Sequence, residues 1–210
     1  MENEQQDSST IDRKEQLLTI ALQMFAQQGY HKTKISDIVA AAGVSQGTFY
    51  WHFKSKEAIA MEMIQTGREQ ILSVISKGYR SNSGTVQDSV QASKELFEQL
   101  FFFAENNRYF MELLFRGIRS ERILQKMIDQ TRFDIERSFS KNIQRAIQLG
   151  ILPAAKDPAL QAALLMGLVE GIIARWLFNN QESSAAIQEM TAKELASEIV
   201  RFEFFGLLGI

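Results

Sequence analysis

The stretch GVSQGTFYWHF, residues 43–53, contains the side chains whose types and spacing are best suited to chemistry. Its last five residues all carry aromatic rings. Because successive helix residues are rotated by about 100°, one helix face cannot bury every ring. Phe49 and Phe53 are i, i+4 neighbours and are expected to share the inner face. Tyr50 and Trp51 are then expected to project outward.

The outward side chains of this short helix suit a DNA groove. With Ser45 as N-cap, Gln46 projects from the N-terminal end, where it can form paired hydrogen bonds with an adenine edge. Thr48 can contact a thymine methyl group or a phosphate, and Gly47 removes a side chain where DNA must come close. Ring donors can fix the register by contacting phosphates: Tyr50, Trp51 and His52. The alternative is that these rings pack on a neighbouring helix, as aromatic side chains at helical spacing usually do.

The segment before this helix completes a recognisable motif. KISDIVAAAG predicts a helix with Ile35, Ile38, Val39 and Ala42 on one side and an end at Gly43. Two helices joined by AAGVS have the length and the turn glycine of a helix-turn-helix. In that motif the second helix enters the major groove of DNA, and its N-terminal residues read the bases.

The charge distribution favours the same partner. The net charge is −2 and the pI is about 5.8, which taken alone argues against nucleic acid. Between Tyr30 and Lys56, however, four lysines and one aspartate give a local charge of +3. Thr33 and Lys34 begin the second helix, where they can contact the DNA backbone. Lys56 lies in the first turn of a fourth helix, whose N–H groups favour a phosphate.

Composition excludes several other classes of protein. The chain has no cysteine and two histidines, so neither a thiolate zinc site nor a multi-histidine metal site is expected. No nucleophile–base pair and no phosphate loop is found, and we expect no catalytic residue, metal or cofactor. The polar, acidic segment 1–11 has no features of a secretion signal. It is interpreted as a disordered tail, and the cytoplasm, in association with the nucleoid, is the expected location.

Helical periodicity continues along nearly the whole chain and predicts an all-α protein of about nine helices. The clearest break is KGYRSNSGT, residues 77–85. Residues 12–70 are therefore predicted to form a DNA-binding domain, with the helix-turn-helix at about 34–53, and residues 71–210 a second domain. Further helices are predicted near 86–105, 107–116, 120–149, 158–178 and 191–208.

The segment TKISDIVAAAGVSQGTFYWHFKSKEAI resembles the DNA-binding segment of the TetR family of bacterial repressors. The resemblance covers about residues 12–70. It implies an all-helical homodimer with a three-helix reading head on a connecting helix, and a C-terminal region that dimerises and binds a small inducer. The acidic N-terminus differs from the basic arm of some members. Matched position by position, the DNA contacts implied by the family are Thr33, Lys34, Ser45, Gln46, Gly47, Thr48, Tyr50, Trp51, His52 and Lys56.

The C-terminal region is rich in aromatic residues, most densely over residues 96–117. Most of these rings are expected to be core, but an aromatic helix beside adaptable methionines also suits an apolar ligand, and the resemblance favours a pocket. Nearby arginines (Arg116, Arg119, Arg122 and Arg132) are solvated or paired, or meet an anionic head group; Glu105 and Glu112 suit a cation instead. The candidate pocket residues are Phe101, Phe102, Phe103, Phe110, Met111, Leu114, Phe115, Phe133 and Trp176.

Two later helices are candidates for a dimer interface. Ala163, Gly167 and Gly171 recur every four residues, a spacing that lets another helix approach closely. The last helix carries an apolar stripe of Leu195, Ile199 and Phe202. We expect both helices to pair with their copies in a two-fold four-helix interface, the alternative being internal packing. Charged residues in the apolar segment 164–178 argue against a membrane partner.

These patterns together predict a homodimeric repressor that a small apolar or amphipathic ligand (lipid, fatty acyl or drug-like) releases from a near-palindromic operator. Its expected partners are double-stranded DNA, a second copy and the inducer. An activator, or a regulator without a ligand, would have the same reading head. A lipid carrier or an enzyme that uses the aromatic cavity is the alternative from a different class.

Overall fold

The computed structural model describes residues 2–77, 85–150, 152, 157–179 and 185–206. Within these ranges all regular secondary structure is helical, as predicted, and there are ten helices. In chain order they are α1 Glu2–Gln28, α2 Ile35–Ala42, α3 Gln46–His52, α4 Lys56–Ser76, α5 Val86–Asn106, α6 Arg108–Arg116, α7 Arg122–Gln148, α8 Pro158–Phe178, α9 Ala185–Gln188 and α10 Ala192–Phe205.

Two features of the helices differ from the prediction. Helix α1 begins at Glu2, so the segment predicted as a disordered tail, residues 1–11, is helical from its second residue. Glutamate and glutamine are good helix formers, and acidic residues near a helix N-terminus interact favourably with the helix dipole. The one-turn helix α9 lies between the helices predicted at 158–178 and 191–208 and was not itself predicted. The predicted break at 77–85 lies mostly outside the described residues.

The chain forms two compact units. The first unit contains the residues up to Gly67 and the segment Tyr109–Asp129; the second contains Arg68–Arg108 and Gln130–Ile210. Helices α4 and α7 therefore contribute to both. The sequence predicts a single boundary after residue 70. The structure instead assigns the later segment Tyr109–Asp129 to the first unit as well.

The core of the first unit comes from α1 to α4 and α6. On α1, Leu17, Ala21 and Phe25 are buried, whereas Leu18 and Leu22 are only half-buried. The side chains of α2 and α4 complete this core with Ile38, Val39, Ile59, Ala60 and Ile64.

A glycine on α4 allows one aromatic ring of α6 to pack closely. A Cβ atom added to Gly67 would lie 2.2 Å from Cε2 of Phe110, which is buried. Real Cβ atoms do not approach a ring carbon so closely, so the contact requires glycine. The Phe110 ring thus occupies the space that any larger residue at position 67 would need.

The second unit is built on the pairing of α5 with α10, and α8 also contacts α5. The hydroxyl of Ser93 on α5 donates to Oε2 of Glu203 on α10 at 2.5 Å. Leu195 and Ile199, which the sequence assigns to a dimer interface, are buried within this unit. That assignment is wrong for both residues, because their side chains are covered inside the chain, whereas Phe202 of the same stripe is exposed.

Helix α8 is long and apolar enough, with a mean hydropathy of 1.5, to satisfy the length and composition of a membrane span. A core helix of a soluble protein satisfies the same test. Seven residues of α8 are buried within the unit, and Glu170 forms an ion pair with Arg132. One face of α8 therefore packs into the core of the second unit.

Candidate nucleic-acid interface

The turn between α2 and α3 is formed by local contacts that the sequence predicts. The Ser45 hydroxyl accepts a hydrogen bond from the backbone N–H of Thr48 at 3.1 Å, which confirms Ser45 as the N-cap. Before it, Gly43 ends α2 with a φ of 64°, a left-handed conformation that favours glycine. The α2–turn–α3 segment is therefore a helix-turn-helix with standard caps.

The rings of α3 divide between two faces, as their spacing predicts. Phe49 and Phe53 are buried and lie against each other, with ring centroids 5.7 Å apart. Tyr50 is 54% exposed and Trp51 is 69% exposed. The alternative, in which these two rings pack on a neighbouring helix of the same chain, is thereby excluded.

The N-terminal end of α3 is also open. Ser45, Gln46 and Gly47 are exposed. A Cβ at Gly47 would meet Oγ of Ser45 at 3.5 Å, an ordinary contact, so there is room for a close approach. Thr48 is half-buried, and its hydroxyl lies 3.0 Å from that of Ser45.

His52 lies at the flank of the exposed face. Its ring meets Trp51 edge-on, with centroids 4.5 Å apart. Burial lowers the pKa of His52 below its ordinary value, and the nearby positive charge of Lys14 lowers it further. The lowered pKa favours the uncharged imidazole, which donates through one ring N–H.

The structure separates the two residues at the start of α2. Lys34 is exposed, and its backbone N–H donates to Oδ2 of Asp37 at 2.9 Å, as in a capping box. Thr33 is fully buried, and its hydroxyl donates to the carbonyl oxygen of Gly29 at 3.0 Å. The Thr33 side chain therefore holds the α1–α2 turn and does not face DNA, which corrects its predicted role.

Lys56 also contacts the α1–α2 turn. Its Nζ donates to the carbonyl oxygens of Tyr30 at 2.9 Å and Thr33 at 3.0 Å. The same ammonium lies 4.2 Å from the centroid of the Tyr30 ring. Burial raises the pKa of that phenol to about 12, with a further contribution from Glu121 and Glu57.

Two lysines near α3 have roles that the sequence reasoning did not assign. Lys14 on α1 forms an ion pair with Glu62 on α4 at 2.6 Å and lies over the Phe53 ring. Lys14 thus contacts the buried ring at the C-terminal end of α3. Lys14 and Phe53 are far apart in the chain, so no short-range sequence pattern indicates this contact. Lys54, between α3 and α4, is exposed. Lys54 is one of the four lysines between Tyr30 and Lys56, but it is not among the predicted DNA contacts.

The predicted pocket residues are divided between the two units. In the first unit, Phe110, Met111 and Leu114 are buried and Phe115 is half-buried. In the second unit, the rings of Phe101 and Trp176 are buried and meet edge-on at 5.8 Å, and Phe103 is buried.

Two members of the pocket set lie on the surface. Phe102 is 63% exposed and Phe133 is 58% exposed, so neither ring lies in an enclosed cavity. Consecutive residues of a helix point in different directions, and only one side of α5 faces the core. Phe102 and Trp176 instead border an open cleft of about 570 Å³, together with Glu98, Glu105, Met190 and Lys193.

The acidic and basic side chains near the aromatic cluster are partly paired. Arg116 pairs with Glu112 at 2.7 Å, and Arg132 pairs with Glu170 at 2.7 Å. Burial raises the pKa of Glu170 above its ordinary value, although the charge of Arg132 opposes this shift. Among the residues described, no group of three or more metal-ligating side chains lies together.

The outer face of α8 carries the predicted small residues. Ala163 and Gly167 are exposed, and a Cβ at Gly167 would meet nothing within 4 Å. Gly171 is half-buried. Leu160 and Leu164, on the same face, are also exposed, as is Phe202 on α10.

Capped helices, a glycine turn and an exposed second helix define a helix-turn-helix DNA-binding protein. Residues 17–63 match the family model described as "Bacterial regulatory proteins, tetR family". Over 201 residues the chain is 24% identical to the HTH-type transcriptional regulator YdgC of Bacillus subtilis (strain 168), covering 96% of this chain and 95% of that protein. Residues 17–63 thus match the DNA-binding segment of the TetR family, and over most of its length the chain is similar to bacterial transcriptional regulators.

Solved structures share the fold along most of the chain. The regulator FadR from Bacillus subtilis, in complex with stearoyl-CoA, matches with a TM-score of 0.69 at 18% identity, covering 91% of this chain and 98% of that one. The SmeT–triclosan complex matches with a TM-score of 0.70 at 22% identity, covering 90% of each chain. At identities this low, the likeness establishes the all-helical fold and nothing further.

Proposed function

We propose that this regulator is a cytoplasmic, homodimeric repressor that a small apolar or amphipathic ligand releases from a near-palindromic operator. Two reading heads related by a two-fold axis would contact successive major-groove faces. The ligand would shift the dimer toward a form that does not fit the operator, by its difference in affinity for the two forms. A transcription assay separates this role from activation, because the operator-bound protein should lower transcription.

The observation that carries the DNA-binding part of the proposal is the division of the α3 rings. Tyr50 and Trp51 are exposed in the free chain, although large aromatic side chains are usually buried. Contact with DNA would bury both rings, which explains why the chain itself leaves them uncovered. The lysines of the surrounding segment supply local positive charge on a chain of net charge −2. The proposed contacts are Lys34, Ser45, Gln46, Gly47, Thr48, Tyr50, Trp51 and His52.

The two tryptophans allow a direct test. Trp51 is on α3 and Trp176 is on α8, so the variant Trp176→Phe leaves Trp51 as the single indole reporter. Titration with duplex DNA from a random-sequence selection should change Trp51 fluorescence. The matched variant Trp51→Phe should show no comparable change from Trp176. If neither variant binds any duplex in a gel-shift assay, the DNA-binding proposal fails.

The exposed face of α8 supports the homodimer. Leu160, Ala163, Leu164 and Gly167 are all exposed and follow the i, i+3, i+4, i+7 spacing of one helix face. An apolar face with small residues suits close packing against a second helix. We propose that α8 pairs with its copy, with Gly171 at the edge and Phe202 of α10 beside it.

Sedimentation tests the dimer. The full chain should sediment as a dimer at micromolar concentration, and Leu164→Glu should shift it to the monomer by placing a charge in the interface. Ile123→Glu is the matched control, since Ile123 is also exposed but lies on α7. A monomeric unmodified chain, or equal effects of the two variants, would contradict the α8 interface.

The proposed ligand class rests on the fold and on the second unit. A neighbour of this fold binds stearoyl-CoA and another binds triclosan. The cleft beside Trp176 combines an exposed phenylalanine with both acidic and basic side chains, which suits an amphipathic molecule. In the Trp51→Phe variant, stearoyl-CoA and triclosan are the probes, and binding should change Trp176 fluorescence. In the unmodified chain the same probe should release DNA. If neither probe does so, this ligand class is wrong.

A further inference from the structure

We propose that Lys56 is a positioning residue whose ammonium closes the α1–α2 turn onto α4, and that Lys54 supplies the phosphate contact at this edge of the reading head. The inference rests on the proposed DNA-binding function. It differs from the resemblance, which implies that Lys56 itself contacts DNA.

The first step is the hydrogen-bonding capacity of the Lys56 ammonium. A lysine ammonium has three N–H donors and no acceptor. Two donors are used by the carbonyl oxygens of Tyr30 and Thr33, at 2.9 and 3.0 Å. The face of the Tyr30 ring, 4.2 Å from Nζ to the centroid, occupies a further side of the ammonium. Little of its donor capacity remains for a phosphate.

The second step is what moving Lys56 toward DNA would leave behind. Tyr30 is buried, and Thr33 is fully buried. Both carbonyl oxygens lie in the short turn between α1 and α2, and a partly buried carbonyl without a partner is destabilising. A phosphate contact by the Lys56 ammonium would therefore open a turn that also positions Lys34 at the start of α2.

The third step is the availability of Lys54. It lies in the three-residue connection between the end of α3 and the start of α4, directly after the buried Phe53. Its side chain is exposed, and it forms no ion pair with a described residue. An exposed, hydrated ammonium directly after α3 suits a point contact with a phosphate.

The salt dependence of DNA binding separates contact from positioning. Each lost phosphate contact lowers the slope of log Kobs against log salt concentration by about 0.9 per reading head, whatever the DNA sequence. We expect Lys54→Gln to lower the slope by that amount on a mixed-sequence duplex. We expect Lys56→Met to weaken binding and lower the melting temperature while leaving the slope unchanged. Lys126→Gln, an exposed lysine on α7, controls for the change in net charge.

Each outcome has a distinct meaning. A lower slope for Lys56→Met overturns its positioning role, and an unchanged slope for Lys54→Gln overturns the Lys54 contact. If the unmodified chain shows no salt-dependent binding to any duplex, the proposed function fails instead.

A second measurement does not depend on a folded Lys56 variant. In the isotope-labelled full chain, the Lys56 ammonium resonance should be protected and shifted by the Tyr30 ring current. It should stay in place when a mixed-sequence duplex is added, whereas the Lys54 resonance moves. Movement of the Lys56 resonance with a static Lys54 resonance would overturn the assignment.

Discussion

The two tryptophans of this protein occupy opposite environments. Trp51 on α3 is 69% exposed, whereas Trp176 on α8 is 8% exposed and donates its indole N–H to the carbonyl oxygen of Met190 at 3.0 Å. Trp176 also meets Phe101 edge-on. The same residue type is thus an exposed ring in the first unit and a core side chain in the second.

The contrast shows where helical spacing is informative. Helix α3 has two buried rings one turn apart, so the remaining rings must face away from the core. Helix α5 carries Phe101, Phe102 and Phe103 in succession, and spacing alone does not say which of them is exposed. The structure exposes Phe102 and buries the other two.

The largest expected effect contrasts the two indoles in stability. Trp176→Ala should lower the free energy of unfolding by about 3–5 kcal/mol, because it removes a buried ring and leaves the Met190 carbonyl without its donor. Trp51→Ala should change it by no more than about 0.5 kcal/mol, since its ring is mostly in solvent. Urea denaturation measures both. Comparable losses of unfolding free energy in the two variants would show that the two indoles do not differ in their contribution to stability.

A second expected effect concerns a buried ring that depends on glycine. Gly67→Ala should destabilise the chain by about 1–3 kcal/mol, because the new Cβ would lie 2.2 Å from the Phe110 ring. Thermal unfolding measures the loss. The double variant Gly67→Ala, Phe110→Ala provides the control: with the ring removed, the added methyl group should cost much less. An equal cost in both backgrounds would show that the ring contact is not the cause.

A third expected effect concerns base reading on the exposed face. Gln46→Ala should reduce discrimination by about 1–3 kcal/mol at one base pair of the selected site and leave other positions unchanged. Competition binding with single-base substitutions measures this loss. A uniform loss across all positions would instead indicate that Gln46 contacts the backbone.

The smallest expected effect concerns His52, between the two α3 faces. Because its pKa is lowered in the folded chain, His52 contributes stability above the ordinary value of 6.5, and that contribution is lost as pH falls through the lowered pKa. An NMR titration should give a midpoint below 6.5. Lys14→Gln should raise that midpoint by removing a neighbouring positive charge. A midpoint above 6.5 would contradict the burial of the ring.

Much of the fold was predictable because its signals are local. Ser45 caps α3 as the sequence predicts, and two further caps are equally local: Ser55 accepts a hydrogen bond from the backbone N–H of Ala58 at the start of α4, and Asp157 caps α8. These contacts join residues only a few positions apart, so the sequence contains both partners together.

The failures of prediction share a different cause. The motif places Thr33 among the DNA contacts, but its side chain is fully buried and its hydroxyl binds the carbonyl oxygen of Gly29 in the α1–α2 turn. Leu195 and Ile199 were assigned to a second copy, but they are buried inside their own unit. In these cases, burial depends on elements distant in the chain.

The order of amino acids by itself determined most of the helices, the Ser45 cap and the outward direction of Tyr50 and Trp51, because those depend on backbone geometry within a few residues. Only the tertiary structure decided that residues 109–129 join the first unit, that Phe110 lies against Gly67, and that the Lys56 ammonium faces inward. The physical reason is that packing and desolvation depend on which distant side chains meet, and helical periodicity contains no information about that choice.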